Sequence, residues 1–114
     1  MVQRTVADPT YVLGRTEAEA QRLMLQSRLF DRLTRRFLAD AGIAPGMTVL
    51  DIGSGAGDVA FAAADLVGPY GRVIGVDLNP AILEMARARA AAEGRHNVEF
   101  IAGDCRDGAL PDDV

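Results

Sequence analysis

The sequence predicts an α/β fold in which a parallel sheet is threaded by helices, and three observations predict it. From residue 47 onward, short apolar β-branched runs alternate with longer helix-like runs. The first short run, "MTVLDIG", passes straight into a turn with glycine at 53, 55 and 57. The helix-like runs carry start and stop residues at their ends. Strand, helix, strand, helix, strand is the pattern of two βαβ units and hence of a parallel sheet.

Residues 1–15 read as an irregular arm, because Pro9 and Gly14 interrupt any periodicity. "TEAE" then offers Thr16 as N-cap with Glu19 three residues on, a capping box that starts a leading helix over 16–41. Leu23, Ser27, Phe30, Leu33 and Phe37 recur at three- and four-residue steps and predict its buried stripe. Arg22, Arg28, Arg32 and Arg35 lie mostly off that stripe and read as a solvated face. "AGIAPG" breaks the chain before a βαβαβ core over 47–104, with no linker to divide it from the helix. "DVAFAAADLVG" is the first core helix, stopped by Gly68 with Pro69 beyond. "GRVIGVDL" is the second strand. Asn79 and Pro80 supply an N-cap and a proline at the first helical position for "AILEMARARAAAEG", which Gly94 ends. "NVEFIAGD" is the third strand, and the acidic tail "CRDGALPDDV" has no period of its own.

A chain of 114 residues makes one domain with a working core. The net charge of −4 argues against a phosphate-tracking nucleic-acid surface. All 12 basic residues are arginine, which reads as compositional bias. Cys105 is the single cysteine and has no partner for an internal disulfide, which fits a cytoplasmic location. No run approaches the ~18 apolar residues of a membrane span. His96 reads as a loop histidine, Tyr11 as an exposed loop tyrosine, and no metal cluster can be assembled.

In an open parallel sheet, ligands bind outside the carboxyl ends of the strands, beside the first strand-to-helix turn. Gly53, Gly55 and Gly57 occupy that turn, where the lack of Cβ atoms lets backbone approach a ligand closely. Asp77 ends the second strand, 20 residues after Gly57, where its carboxylate can accept both hydroxyls of a ribose. Asp104 ends the third strand in the analogous place and can accept from an exocyclic amine of adenine. The turn is not a dinucleotide fingerprint. That motif runs G-x-G-x-x-G after an uninterrupted apolar strand. Here the order is G-x-G-x-G, Asp58 replaces the third glycine, and Asp51 interrupts the strand. A pyrophosphate would be repelled by both acids, whereas a ligand with an ammonium and a sulfonium would be attracted.

"VLDIGSGAG", "VIGVDLNPAIL" and "NVEFIAGDC" resemble, in order and spacing, the first three motifs of class I S-adenosylmethionine-dependent methyltransferases. The arm "YVLGRTEAEAQRLMLQ" resembles the lead-in of the ubiquinone/menaquinone-biosynthesis-like, small-molecule group. The resemblance implies a Rossmann-like sheet of seven strands, ordered 3-2-1-4-5-7-6, of which this chain supplies the first three. It implies S-adenosyl-L-methionine as cofactor, with Gly53, Ser54, Gly55 and Gly57 at its methionine end and Asp51 near the ammonium. Asp77 would hold the ribose, Asp104 and the Cys105 backbone N–H the adenine. Leu78 would pack on the adenine face or serve as plain core. A nucleophilic role for Cys105 is disfavoured, since no histidine stands near it in the sequence.

The resemblance makes this the cofactor-binding half of a methyltransferase for a small-molecule acceptor, with catalytic residues unassigned. A non-catalytic adenosyl-ligand module needing a partner chain is the alternative, and a nicotinamide oxidoreductase is disfavoured by the glycine spacing. Right-handed crossovers from strand 1 to 2 to 3 put both core helices on one face of the sheet. The other face and one edge of strand 1 are expected to lack cover, which invites self-association or completion by a partner.

Overall fold

A computed structural model describes residues 9–104 and 106, with side chains from Glu17 onward. The element order is α1 (Pro9–Asp40), β1 (Thr48–Ile52), α2 (Asp58–Val67), β2 (Arg72–Asp77), α3 (Pro80–Ala92) and β3 (Val98–Ala102). The sheet is parallel with spatial order β1-β2-β3, Val49 opposite Val73 and Val73 opposite Val98. The expected βαβαβ core is therefore present, in the strand order the resemblance implies.

Local chemistry sets each boundary. Asn79 accepts from the Ala81 and Ile82 N–H groups at 2.9 and 3.4 Å, with Pro80 opening α3. At the end of α2, Gly68 has φ +71° and donates its N–H to the Ala64 carbonyl. Asn97, just before β3, donates Nδ2 to the Ala64 and Gly68 carbonyls at 2.8 and 2.9 Å. That side chain adds a second donor to two carbonyls at the end of α2, which also accept the Gly68 and Gly71 N–H groups, and so ties the start of β3 to the helix.

Strand alternation sends Val49, Val73, Val98 and Phe100 to the face that carries α2 and α3. There Ala60, Phe61, Ala63, Ala64 and Val67 of α2 meet Leu83, Ala86 and Ala90 of α3 in one buried cluster. The small alanines let α2 lie close over the strands. Gly75 has a similar cause, since a Cβ there would stand 2.6 Å from Phe100 and 2.9 Å from Ser54.

The leading helix departs from expectation twice. It includes residues 9–15, which are helix and not arm, and Thr16 lies within the helix instead of capping it. Second, the expected stripe is not buried. Leu23, Phe30, Leu33 and Phe37 are 57–70% exposed. α1 packs against α2, with Arg35 paired to Asp65 at 2.7 Å and Leu38 set against the buried cluster. The contact is thus made by residues off the expected stripe. On the opposite face of the sheet, the expected lack of cover holds only at the margin: Ile52 is 58% exposed, whereas Ile74 and Val76 are buried. Among the described residues β1 pairs only with β2, leaving its other edge free. No described helix is long and apolar enough to cross a membrane.

Candidate cofactor site

The site is built where β1 and β2 run out side by side. The Val76 carbonyl accepts from the Gly53 and Ser54 N–H groups at 2.7 and 3.0 Å, tying the start of the turn to β2. The Gly57 N–H returns to the Ser54 carbonyl at 3.1 Å and closes the turn. Gly53, Gly55 and Gly57 have φ of +76°, +56° and +102°, which L side chains adopt only with strain. A Cβ at Gly53 or Gly55 would meet open space, whereas one at Gly57 would strike Phe61 at 2.9 Å. Two of the three glycines therefore face outward, and the third lets the turn sit on α2.

Asp77 closes the opposite wall. Its Oδ2 accepts the Gly55 N–H and its Oδ1 the Asn79 N–H, both at 2.9 Å. Those donors, Asn79 foremost, hold the Asp77 carboxyl below the usual carboxylate range. Asp104 is likewise lowered, by hydrogen bonds from the Arg106 side chain and backbone. Ile52, Gly53, Val76, Asp77, Leu78, Gly103 and Asp104 line a cleft of about 200 Å³ at the carboxyl ends of the strands. Leu78 is 69% exposed, so it is a lip of this cleft and not plain core.

Asp51 and Ser54 are under opposite constraint. Asp51 is half-buried, with its Oδ2 lacking any hydrogen-bond partner, and the buried Ser54 Oγ lacks one too. Burial, and then the nearby Asp77 charge, push the Asp51 carboxyl up from its ordinary value. Buried polar atoms are rarely left unpaired, so these two mark a place where a polar, preferably cationic, group belongs.

The sequence-predicted residues Asp51, Gly53, Ser54, Gly55, Gly57, Asp77, Leu78 and Asp104 thus gather at one end of the sheet, and Cys105 lies outside the described residues, as does the side chain of Tyr11. Ile52 and Gly103 line the cleft as well and were not singled out from sequence. The alternation of β1 offers a signal for Ile52, since its neighbour Asp51 points the other way. A larger open groove of about 880 Å³ lies at the other end of the strands, beside Tyr70 and the exposed His96. It shares no residue with the glycine turn, whereas the smaller cleft includes Gly53 and lies at the carboxyl ends of the strands. Among the described residues no cluster of metal-ligating side chains occurs.

Fold and glycine turn together define an open α/β domain of the Rossmann-like class. The chain belongs to the methyltransferase domain family, whose model matches residues 43–113. It is 52% identical over 73 residues to an arsenite methyltransferase of Halobacterium salinarum, covering 64% of this chain and 18% of that protein. It is 39% identical over 83 residues to a ubiquinone/menaquinone biosynthesis C-methyltransferase of Ectopseudomonas mendocina, covering 71% of this chain and 32% of that one. The crystal structure of an RNA methyltransferase from Salinibacter ruber with S-adenosyl-L-homocysteine superimposes with a TM-score of 0.59 at 30% identity, over 67% of this chain and 49% of that chain. The chain thus spans only 18–32% of the length of these two curated relatives. S-adenosyl-L-methionine is the cofactor that goes with this family, and the orphaned atoms of Asp51 and Ser54 fit its cationic, phosphate-free methionine end.

Proposed function

We propose that this chain is the cofactor-binding part of an S-adenosylmethionine-dependent methyltransferase with a small-molecule acceptor. The observation that carries the reading is the unpaired, half-buried carboxylate of Asp51 beside the open glycine turn. A bound ammonium would relieve both the desolvation and the repulsion from Asp77. A pyrophosphate would worsen them, which tells against a nicotinamide dinucleotide. In this reading Gly53, Ser54, Gly55 and Gly57 cradle the methionine portion, with Asp51 toward its ammonium. Asp77, already ionised by its two backbone donors, takes the ribose hydroxyls. Leu78 lies against the adenine, while Asp104 and the Cys105 N–H meet its edge.

The cofactor supplies an activated methyl group on a sulfonium. What these residues contribute is alignment: a fixed grip on both ends of the ligand leaves the methyl pointing one way, and orientation alone supplies much of the rate of an in-line displacement. The acceptor is proposed as a small molecule, as the names of the quinone-pathway and arsenite relatives suggest, and not a nucleic acid, in keeping with the acidic net charge of −4. The lone cysteine supports a cytoplasmic setting.

Calorimetric titration with S-adenosylhomocysteine and, separately, with NAD tests the reading. Binding of the first and not the second is expected, and the reverse order would overturn it. Tritiated-methyl transfer to a metabolite extract then separates an enzyme from a binding module without turnover.

A further inference from the structure

We propose that Arg89 is a positioning residue for the cofactor turn, fixing the Ala56–Gly57 peptide in the orientation that keeps the cradle open; its bearing on ligand binding rests on the function proposed above. Arg89 projects from α3, yet its Nη1 donates to the Ala56 carbonyl and to Asp58 Oδ1, both at 2.9 Å. Its guanidinium carbon lies 4.9 Å from the centroid of the Phe61 ring, which itself sits directly beneath Gly57. Turn, ring and guanidinium therefore form one packed unit.

The consequence follows from peptide geometry. In a trans peptide the carbonyl and the N–H point in opposite directions. With the Ala56 carbonyl held toward α3, the Gly57 N–H must point away, and it meets the Ser54 carbonyl to close the turn. That closure leaves the Gly53 and Gly55 backbone facing open space. The turn has a second pin, from the Gly55 N–H to Asp77, but Asp77 is the group proposed to engage the ribose. Arg89 holds the turn from the side the ligand does not reach, so its grip persists when Asp77 changes partners. The ion pair with Asp58 adds little, since the two side chains are 39% and 69% exposed. The bond to the part-buried carbonyl, assisted by the guanidinium charge, is the specific element.

Arg95 provides the internal comparison. It covers the same ring at 4.8 Å and pairs with Asp65 and Glu93, but among the described residues its side-chain hydrogen bonds do not reach the turn. A merely structural role predicts the same result for both arginines. In the ligand-free full chain, Arg89→Met should speed hydrogen exchange of the amides at 55 and 57 while those at 73–76 keep their protection. Its affinity for S-adenosylhomocysteine should fall about tenfold, the effect of losing one hydrogen bond to a charged donor. Arg95→Met should leave both readouts within about twofold of wild type, whatever it does to the melting temperature. Unchanged turn exchange in Arg89→Met, or equal changes in the two variants, would overturn the assignment. If the wild-type chain binds no S-adenosylhomocysteine the proposed function fails, and the exchange comparison decides the role of Arg89 in holding the turn by itself.

Discussion

Asp51→Asn is expected to stabilise the ligand-free protein while weakening its hold on the cofactor. The carboxylate is half-buried, its Oδ2 has no partner, and both burial and Asp77 raise its pKa. Desolvation and the Asp77 charge penalise the ionised form, by about 1 kcal/mol once the partial exposure of Asp51 is allowed for. Removing the charge should therefore gain about 1 kcal/mol at neutral pH, or about 4 °C in melting temperature for a domain of this size. The sign with pH is fixed by linkage. A carboxyl whose folded pKa is raised binds more protons folded than unfolded, so its penalty is full above that raised pKa and fades as the pH falls toward the ordinary value. The advantage of Asp51→Asn should shrink on acidification and vanish where Asp51 is protonated in both states. Asp77 runs the other way: its lowered pKa contributes stability above the ordinary carboxylate range that is lost as pH falls through the folded value. Thermal melts of both proteins from about pH 2 to 8 (a window that reaches below the ordinary carboxylate value), with calorimetry at neutral pH, make the test. Asp51→Asn that is less stable at neutral pH, or that binds S-adenosylhomocysteine as well as wild type, would refute the argument.

Asp77→Ala should weaken S-adenosylhomocysteine binding about ten- to hundredfold, since a charged acceptor for the ribose is lost; unchanged affinity in a folded variant removes Asp77 from that role. Gly55→Val should abolish binding with helix content retained by circular dichroism, because the branched side chain at φ +56° is strained and occupies the open cradle. Asn97→Ala should cost about 1–2 kcal/mol in denaturant unfolding by removing the two side-chain hydrogen bonds that tie the start of β3 to the end of α2. The chain on its own should self-associate at micromolar concentration through the free β1 edge and the exposed Leu23, Phe30, Leu33 and Phe37, and a sharp monomer by light scattering would contradict this.

The core was legible because its signals are local and agree with one another. Short β-branched runs and the boundary residues Gly68, Asn79–Pro80 and Gly94 place β2, α3 and β3 nearly to the residue, and the crossover rule puts both core helices on one face. The leading helix was misread for two reasons. Pro9 and Gly14 interrupt the periodicity without excluding a helix, because local propensity is a weak prior. The apolar stripe of α1 identified a helix correctly but not its partner. Periodicity reports that a face is apolar, whereas α1 is joined to the core by Leu38 and by an Arg35–Asp65 ion pair that no period encodes. Asn97 escaped for a similar reason, because a capping side chain that arrives from 29 residues away leaves no mark near the helix it caps.

The site shows the same division between local and distant cause. The three glycines, Asp77 and Asp104 could be found because each sits at a strand end, where topology alone brings them together. What sequence could not supply is the state of each acid. Asp77 and Asp104 are satisfied by backbone or arginine donors and are lowered, while Asp51 is left without a partner and raised. Three aspartates that look alike in sequence thus divide into two that are stable as charges and one that is costly as a charge. A protein gains nothing from an unpaired carboxylate in its folded, empty state. It persists most reasonably where a ligand completes it, and a cation is the ligand that would. The placement of that one unsatisfied oxygen beside an open glycine turn argues for a cationic cofactor more directly than the glycine spacing does, because spacing constrains shape while the orphaned charge constrains chemistry.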